Sequence, residues 1–91
     1  MTPTTATTAT TAAPPELFYE ISEPGSAAAR RVVVELELLD RVRFRNVYYE
    51  EAMADFRARG GSQLPALWDG EHLIEGEAAV VAALRRLVPA P

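Results

Sequence analysis

The sequence predicts an α/β domain in which a four-stranded mixed sheet is flanked by helices, in the element order β-α-β-α-β-β-α. Three observations carry that expectation. Apolar spacing switches between a period of two and a period near 3.6, first in strand–helix–strand order and then as helix–strand–strand–helix. Asp69-Gly70 lies between the apolar runs "LPALW" and "HLI", the signature of a hairpin. The 91 residues suffice for one domain, and their apolar share of 48% suffices for an ordinary core. A strand–helix–strand unit of this length requires parallel strands with a right-handed crossover. The terminal hairpin then adds two antiparallel strands.

Each element has its own local reason. Glu16 to Ile21, "ELFYEI", reads as the first strand and is punctuated by "SEPGS". From Ala27 to Leu39, the residues Ala29, Val32, Val33, Leu36 and Leu39 recur at three- and four-residue steps, which predicts an amphipathic helix. Ser22 or Ser26 is placed to cap its start, and Pro24 suits a first turn. In "RVRFRNVYY", Val42 and Phe44 face one way and Arg43 and Arg45 the other, so this is a second strand whose outward arginines suit a sheet edge. The alternation slips at Asn46, at a bulge or at the strand end. "YEEAMADFRARGG" predicts a second helix. Glu50 and Glu51 complement its N-terminus, Arg57 and Arg59 its C-terminus, Gly60 ends it, and Met53 and Phe56 form its apolar contact. After the hairpin, Glu77 to Val88 is a third helix with Val80, Val81, Leu84, Leu87 and Val88 on one stripe.

Residues 1–14 are nearly all Thr, Ala and Pro and predict a disordered tail. They hold too little apolar surface to offset the entropy of ordering. Residues 15–88 form the domain and 89–91 a short tail. The tail lacks the basic and apolar regions of a secretory signal, and no run reaches the length of a membrane span, so a cytoplasmic protein is expected. The net charge of −4 argues against nucleic-acid and anionic-membrane partners. All nine basic residues are Arg, which points to a GC-rich, bacterial genome rather than to phosphate recognition. No cysteine is present, which excludes disulfides, thiolate metal sites and thiol nucleophiles. His72 stands without a second histidine and is read as neither metal ligand nor base.

Two stretches carry a resemblance to a known family. "GSQLPALWDGEHLIEGEAAVVAAL" resembles the glutathione S-transferase pattern in which a Val/Leu-Pro-Ala-Leu strand and an Asp-Gly turn precede a helix start. "EPGSAAARRVVVELELL" resembles the strand-to-helix turn that bears the reactive residue. The chain from about Leu17 to Leu87 therefore resembles a thioredoxin-fold domain of the glutaredoxin and glutathione S-transferase N-terminal type, without the helical domain that follows it in the transferases. The resemblance implies a cis bond at Leu64-Pro65, with the Leu64 main chain pairing with the cysteinyl part of glutathione. It also implies that Glu75, Gly76 and the amide of Glu77 hold the γ-glutamyl group. Glutaredoxin's Cys-x-x-Cys aligns best with Glu23-Pro24-Gly25-Ser26, and a transferase-style alignment puts Ala27 where one class has its cysteine. Neither supplies a thiol, so dithiol chemistry is excluded, and Ser22 or Ser26 is left either to assist a bound thiolate by its hydroxyl or simply to cap the helix.

Two function classes follow. One is a redox-inactive protein-interaction module that docks a protein partner or a second copy through exposed alanines (Ala27, Ala28, Ala78, Ala82 and Ala83). The other is a glutathione-binding protein with serine-assisted transferase activity. The first is the expectation adopted, because the electrophile wall supplied by the helical domain is missing.

Overall fold

Leu17 and Phe18 are neighbours in strand β1 (Glu16–Tyr19), so their side chains point to opposite faces of one sheet, and both are fully buried. A strand buried on both faces belongs in the middle of a layered structure. The computed structural model, which describes residues 13–89, has it there: the sheet order is β2-β1-β3-β4. Strand β2 (Arg43–Asn46) runs parallel to β1, with Leu17 opposite Phe44. Strand β3 (Ala66–Trp68) runs antiparallel to β1, and β4 (Leu73–Glu75) antiparallel to β3. Helices α1 (Pro24–Glu35), α2 (Glu50–Ala58) and α3 (Glu77–Arg86) complete the chain order. The fold is thioredoxin-like, as the element pattern predicts.

The core divides at the sheet. On one face Leu17, Val42 and Leu67 pack with Ala29 and Val33 of α1 and Val80, Ala83 and Leu84 of α3. On the other face Phe18, Val47 and Ala66 pack with Ala52 and Phe56 of α2. Burying such side chains is worth about 1.5–3 kcal/mol each for the larger ones, so both faces must be covered.

Several boundaries differ from the sequence expectation, each for a physical reason. Strand β1 stops at Tyr19, because the chain turns at Glu20–Glu23 with the Glu23 N–H donating to the Glu20 carbonyl at 3.1 Å, which leaves Ile21 60% exposed. Helix α1 begins at Pro24 and ends at Glu35 rather than Leu39. Its end is a Schellman motif: the Leu38 N–H donates to the Val33 carbonyl at 2.9 Å and the Glu37 N–H to the Val34 carbonyl at 3.0 Å. Glu37 takes the left-handed conformation at φ 58°. That turn buries Leu38 and leaves Leu39 58% exposed, the reverse of a continued helix. Helix α2 ends in the same motif, with the Gly61 N–H donating to Phe56, the Gly60 N–H to Arg57, and Gly60 at φ 86°. Helix α3 ends at Arg86, and Val88 lies outside the core.

Two further expectations are corrected. Arg45 is not a solvated edge residue: it is 7% exposed and ion-paired beneath α2 with Glu16, and with Asp55 at 2.7 Å. Ala83 is not exposed but packs between α3 and the sheet, and Ala27 and Ala28 are half-buried, so the alanines do not form one open face. The disordered-tail expectation for residues 1–12 and for residues 90 and 91 lies outside the described residues.

Candidate functional site

In open α/β sheets, ligand sites form beyond the carboxyl ends of the parallel strands. Here β1 and β2 both end where α1 begins and where β3 starts. The pairing of Phe18 with Ala66 brings Pro65 to that end, and the pairing of Ala66 with Glu75 brings Gly76 and the start of α3. Ser26, Leu64, Pro65, Glu75, Gly76 and Glu77, all predicted site residues, therefore gather at one end of the sheet. The Leu64-Pro65 bond is cis, as the resemblance implies. Gly25 sits directly against Pro65: a Cβ added to it would stand 3.1 Å from Pro65 Cδ and 3.2 and 3.3 Å from the two Glu23 carboxylate oxygens.

The start of α1 is occupied by the chain itself. Glu23 is the N-cap, with Pro24 in the first helical position. Its carboxylate accepts from the Gly25 N–H at 3.0 Å through one oxygen and from the Ser26 N–H at 2.6 Å through the other. Hydrogen bonding from the Ser26 hydroxyl, then from the Gly25 and Ser26 amides, holds the Glu23 carboxyl below its ordinary value against an opposing effect of burial. Neither serine caps the helix. Ser26 is fully buried and its Oγ accepts from the Glu20 N–H at 3.1 Å, while Ser22 lies exposed in the preceding turn. The amides that would stabilise a thiolate at this turn are thus spent on a built-in carboxylate.

The opposite wall is also partly committed. Oε1 of Glu75 accepts from the Ser62 N–H at 2.9 Å, the Gln63 N–H at 2.7 Å and the Ser62 hydroxyl at 3.4 Å, so this carboxylate clamps the loop before the cis proline. Gly76, at φ 96° and ψ 147°, occupies a region open essentially to glycine alone, and its N–H donates to the Pro65 carbonyl at 2.9 Å. Glycine at this position therefore has a backbone reason. Leu64 differs: among the described residues its main-chain N–H and C=O enter no hydrogen bond. Glu77 is exposed at the first turn of α3.

Sequence reasoning missed three features of this end. The first is Glu23 itself, although an acidic residue directly before Pro at a helix start is a dipole-compensating pattern. The second is Ile21, which is 60% exposed and stands with Tyr48 and Tyr49, 82% and 63% exposed, on the two turns that leave β1 and β2. Beside Tyr48 a surface cavity of about 570 Å³ is lined by Val47, Glu50, Met53, Ala54 and Arg57. The third is the ion cluster under α2. There Glu16 accepts from Arg45 and from Arg59 at 3.1 Å, and Arg59 stacks 4.6 Å from the Trp68 ring centre. Burial opposes the Arg45 charge, but Asp55 and Glu16 more than offset it and raise its pKa above the ordinary arginine value.

His72 is exposed, and Asp69 beside it is a turn former: its Oδ1 accepts from the Glu71 and His72 amides at 2.8 and 2.7 Å. Among the described residues no cluster of His, Cys, Asp and Glu is arranged to hold a metal ion, and no helix is long and apolar enough to cross a membrane. No protein-family model matches the chain, and no curated protein is significantly similar to it.

Proposed function

We propose that this chain is a redox-inactive member of the glutaredoxin and glutathione S-transferase N-terminal type, working in the cytoplasm as a protein-interaction module. One observation carries the reading: at the position that aligns with glutaredoxin's first cysteine, Glu23 folds its carboxylate onto the amides of α1. A site that supplies its own anion has no vacancy for a thiolate. What stays available is the unpartnered main chain of Leu64, at the same end of the sheet as the exposed Ile21, Tyr48 and Tyr49. An extended segment of a partner fits that chemistry, pairing main chain to main chain and resting apolar groups on those side chains.

Glutathione binding is the second reading, and the free Leu64 main chain favours it too. The engagement of Glu75 with Ser62 and Gln63 speaks against it, because the γ-glutamyl ammonium would have to share that carboxylate. Titration of reduced glutathione into isotope-labelled protein separates the two. No shift of the Leu64, Gly76 and Glu77 amides is expected at millimolar ligand, and saturable shifts there would install the second reading. A photocrosslinker at position 48 is expected to trap another protein. Trapping only this chain would make the module a homodimer.

A further inference from the structure

We infer that the open edge of β2, together with the groove between it and α1, receives an extended acidic segment of a partner protein. This surface is separate from the proline end of the sheet and does not depend on the reading given to that end. The N–H groups of Arg43 and Val47 donate to the Pro15 and Tyr19 carbonyls on the β1 side, at 2.8 and 2.9 Å. Alternation then turns the Phe44 N–H and C=O and the Asn46 N–H outward, along an edge that no other strand covers, while the Asn46 carbonyl accepts from the Tyr49 N–H at 3.1 Å. Above that edge Ala27, Arg30, Arg31 and Val34 recur on one stripe of α1 and with Phe44 line a cavity of about 350 Å³.

The charge of this surface selects the occupant. The chain carries 13 acidic residues against nine arginines, yet Arg30 and Arg31 overhang the edge, Arg43 lies on it and Arg41 just before it. None of these four has a salt-bridge partner among the described residues. Arg30 rests 5.1 Å from the Tyr19 ring centre, and its Nε–H is buried without an acceptor. An added strand would place every second side chain on the α1 face, beside Phe44 and under the two guanidinium groups. Carboxylates at those positions would meet paired donors, with main-chain bonds supplying register. A second copy is disfavoured, because two β2 edges brought together would oppose Arg to Arg.

The competing view is that these arginines only shield the edge from pairing. A shield repels every strand, whereas a groove accepts acidic ones. The probe is a blocked octapeptide of alternating glutamate and threonine, titrated into labelled protein. Saturable shifts and slowed hydrogen exchange at the Phe44 and Asn46 amides are expected. Arg31→Glu, an exposed change, is expected to weaken binding at least about tenfold. A lysine–threonine peptide and a fully N-methylated glutamate–threonine peptide should not bind. Equal binding of the lysine peptide, or of the methylated one, would overturn the inference. So would shifts centred on Leu64 and Gly76, or edge protection that grows with protein concentration in the absence of peptide.

Discussion

Replacing Glu37 by glycine should stabilise the domain by about 1 kcal/mol. The molecule is its own control, because α1 and α2 end in the same hydrogen-bond pattern with different residues at the left-handed position: Glu37 at φ 58° and Gly60 at φ 86°. An L-residue held there costs roughly 1–2 kcal/mol. Glycine removes that cost but returns about 0.5–1 kcal/mol through the greater freedom of the unfolded chain. Removing an exposed carboxylate from the negative end of α1 contributes about 0.3 kcal/mol more. The sum is about 1 kcal/mol, which for a domain of this size raises Tm by about 4–8 °C. Urea unfolding followed by Trp68 fluorescence and by circular dichroism gives the free energy and tests two-state behaviour. Glu37→Ala keeps the backbone cost and should stay within about 0.5 kcal/mol of the parent. Gly60→Ala should lose about 1 kcal/mol; a Cβ there meets nothing within 4 Å, so the loss is conformational. If Glu37→Gly is no more stable than Glu37→Ala, or if Gly60→Ala is neutral, left-handed strain is not what these two helix ends differ in.

Three other outcomes follow from the same contacts. The carboxyls of Glu23, Asp55 and Asp69 titrate below their ordinary 4.5, 3.8 and 3.8, held down chiefly by the Ser26 hydroxyl, Arg45 and the His72 amide respectively. The unfolded chain therefore binds more protons in that range, so stability is complete above about pH 5 and is lost as pH falls through the folded values. A urea midpoint unchanged between pH 5 and pH 3 would contradict this, and Glu23→Gln should make the decline shallower. Arg45→Ala should cost about 3 kcal/mol, because it leaves the buried Glu16 carboxylate with Arg59 alone; a loss under about 1 kcal/mol would mean that water takes the place of the guanidinium. Glu75→Gln should speed hydrogen exchange at the Ser62 and Gln63 amides while sparing the β1–β2 pair, and unchanged exchange at those two amides would show that the clamp does not need the charge.

How far the sequence could be read is clearest from particular residues. Pro24, the Glu50-Glu51 pair, Gly60 and Asp69-Gly70 act within a few residues of themselves, and each stands where its pattern placed it. Leu39 continues the apolar stripe in the sequence while Leu38 is the residue buried, because a helical period of 3.6 does not register that one residue at φ 58° has ended the helix. Arg45 alternated as an outward residue should. The face it points to is outward only until α2 covers it, and its partner Glu16 is 29 positions away. The proline end of the sheet was legible as a set, since Leu64, Pro65, Glu75, Gly76 and Glu77 carry a local pattern. Its chemistry was not legible, because it depends on which amides the Glu23 and Glu75 carboxylates reach.

The sequence by itself determined the order of the elements, the layered α/β class, the hairpin and the absence of any thiol, because periodicity, turn chemistry and composition are properties of neighbouring residues or of the chain as a whole. Only the tertiary structure decided that the Glu23 carboxylate fills the first turn of α1, that Glu75 is committed to the loop 12 and 13 residues before it, and that β2 is left with an open, arginine-lined edge. The physical reason is reach: a carboxylate or guanidinium finds its partner across space, and no local pattern records which distant segment the fold will bring within 3 Å of it.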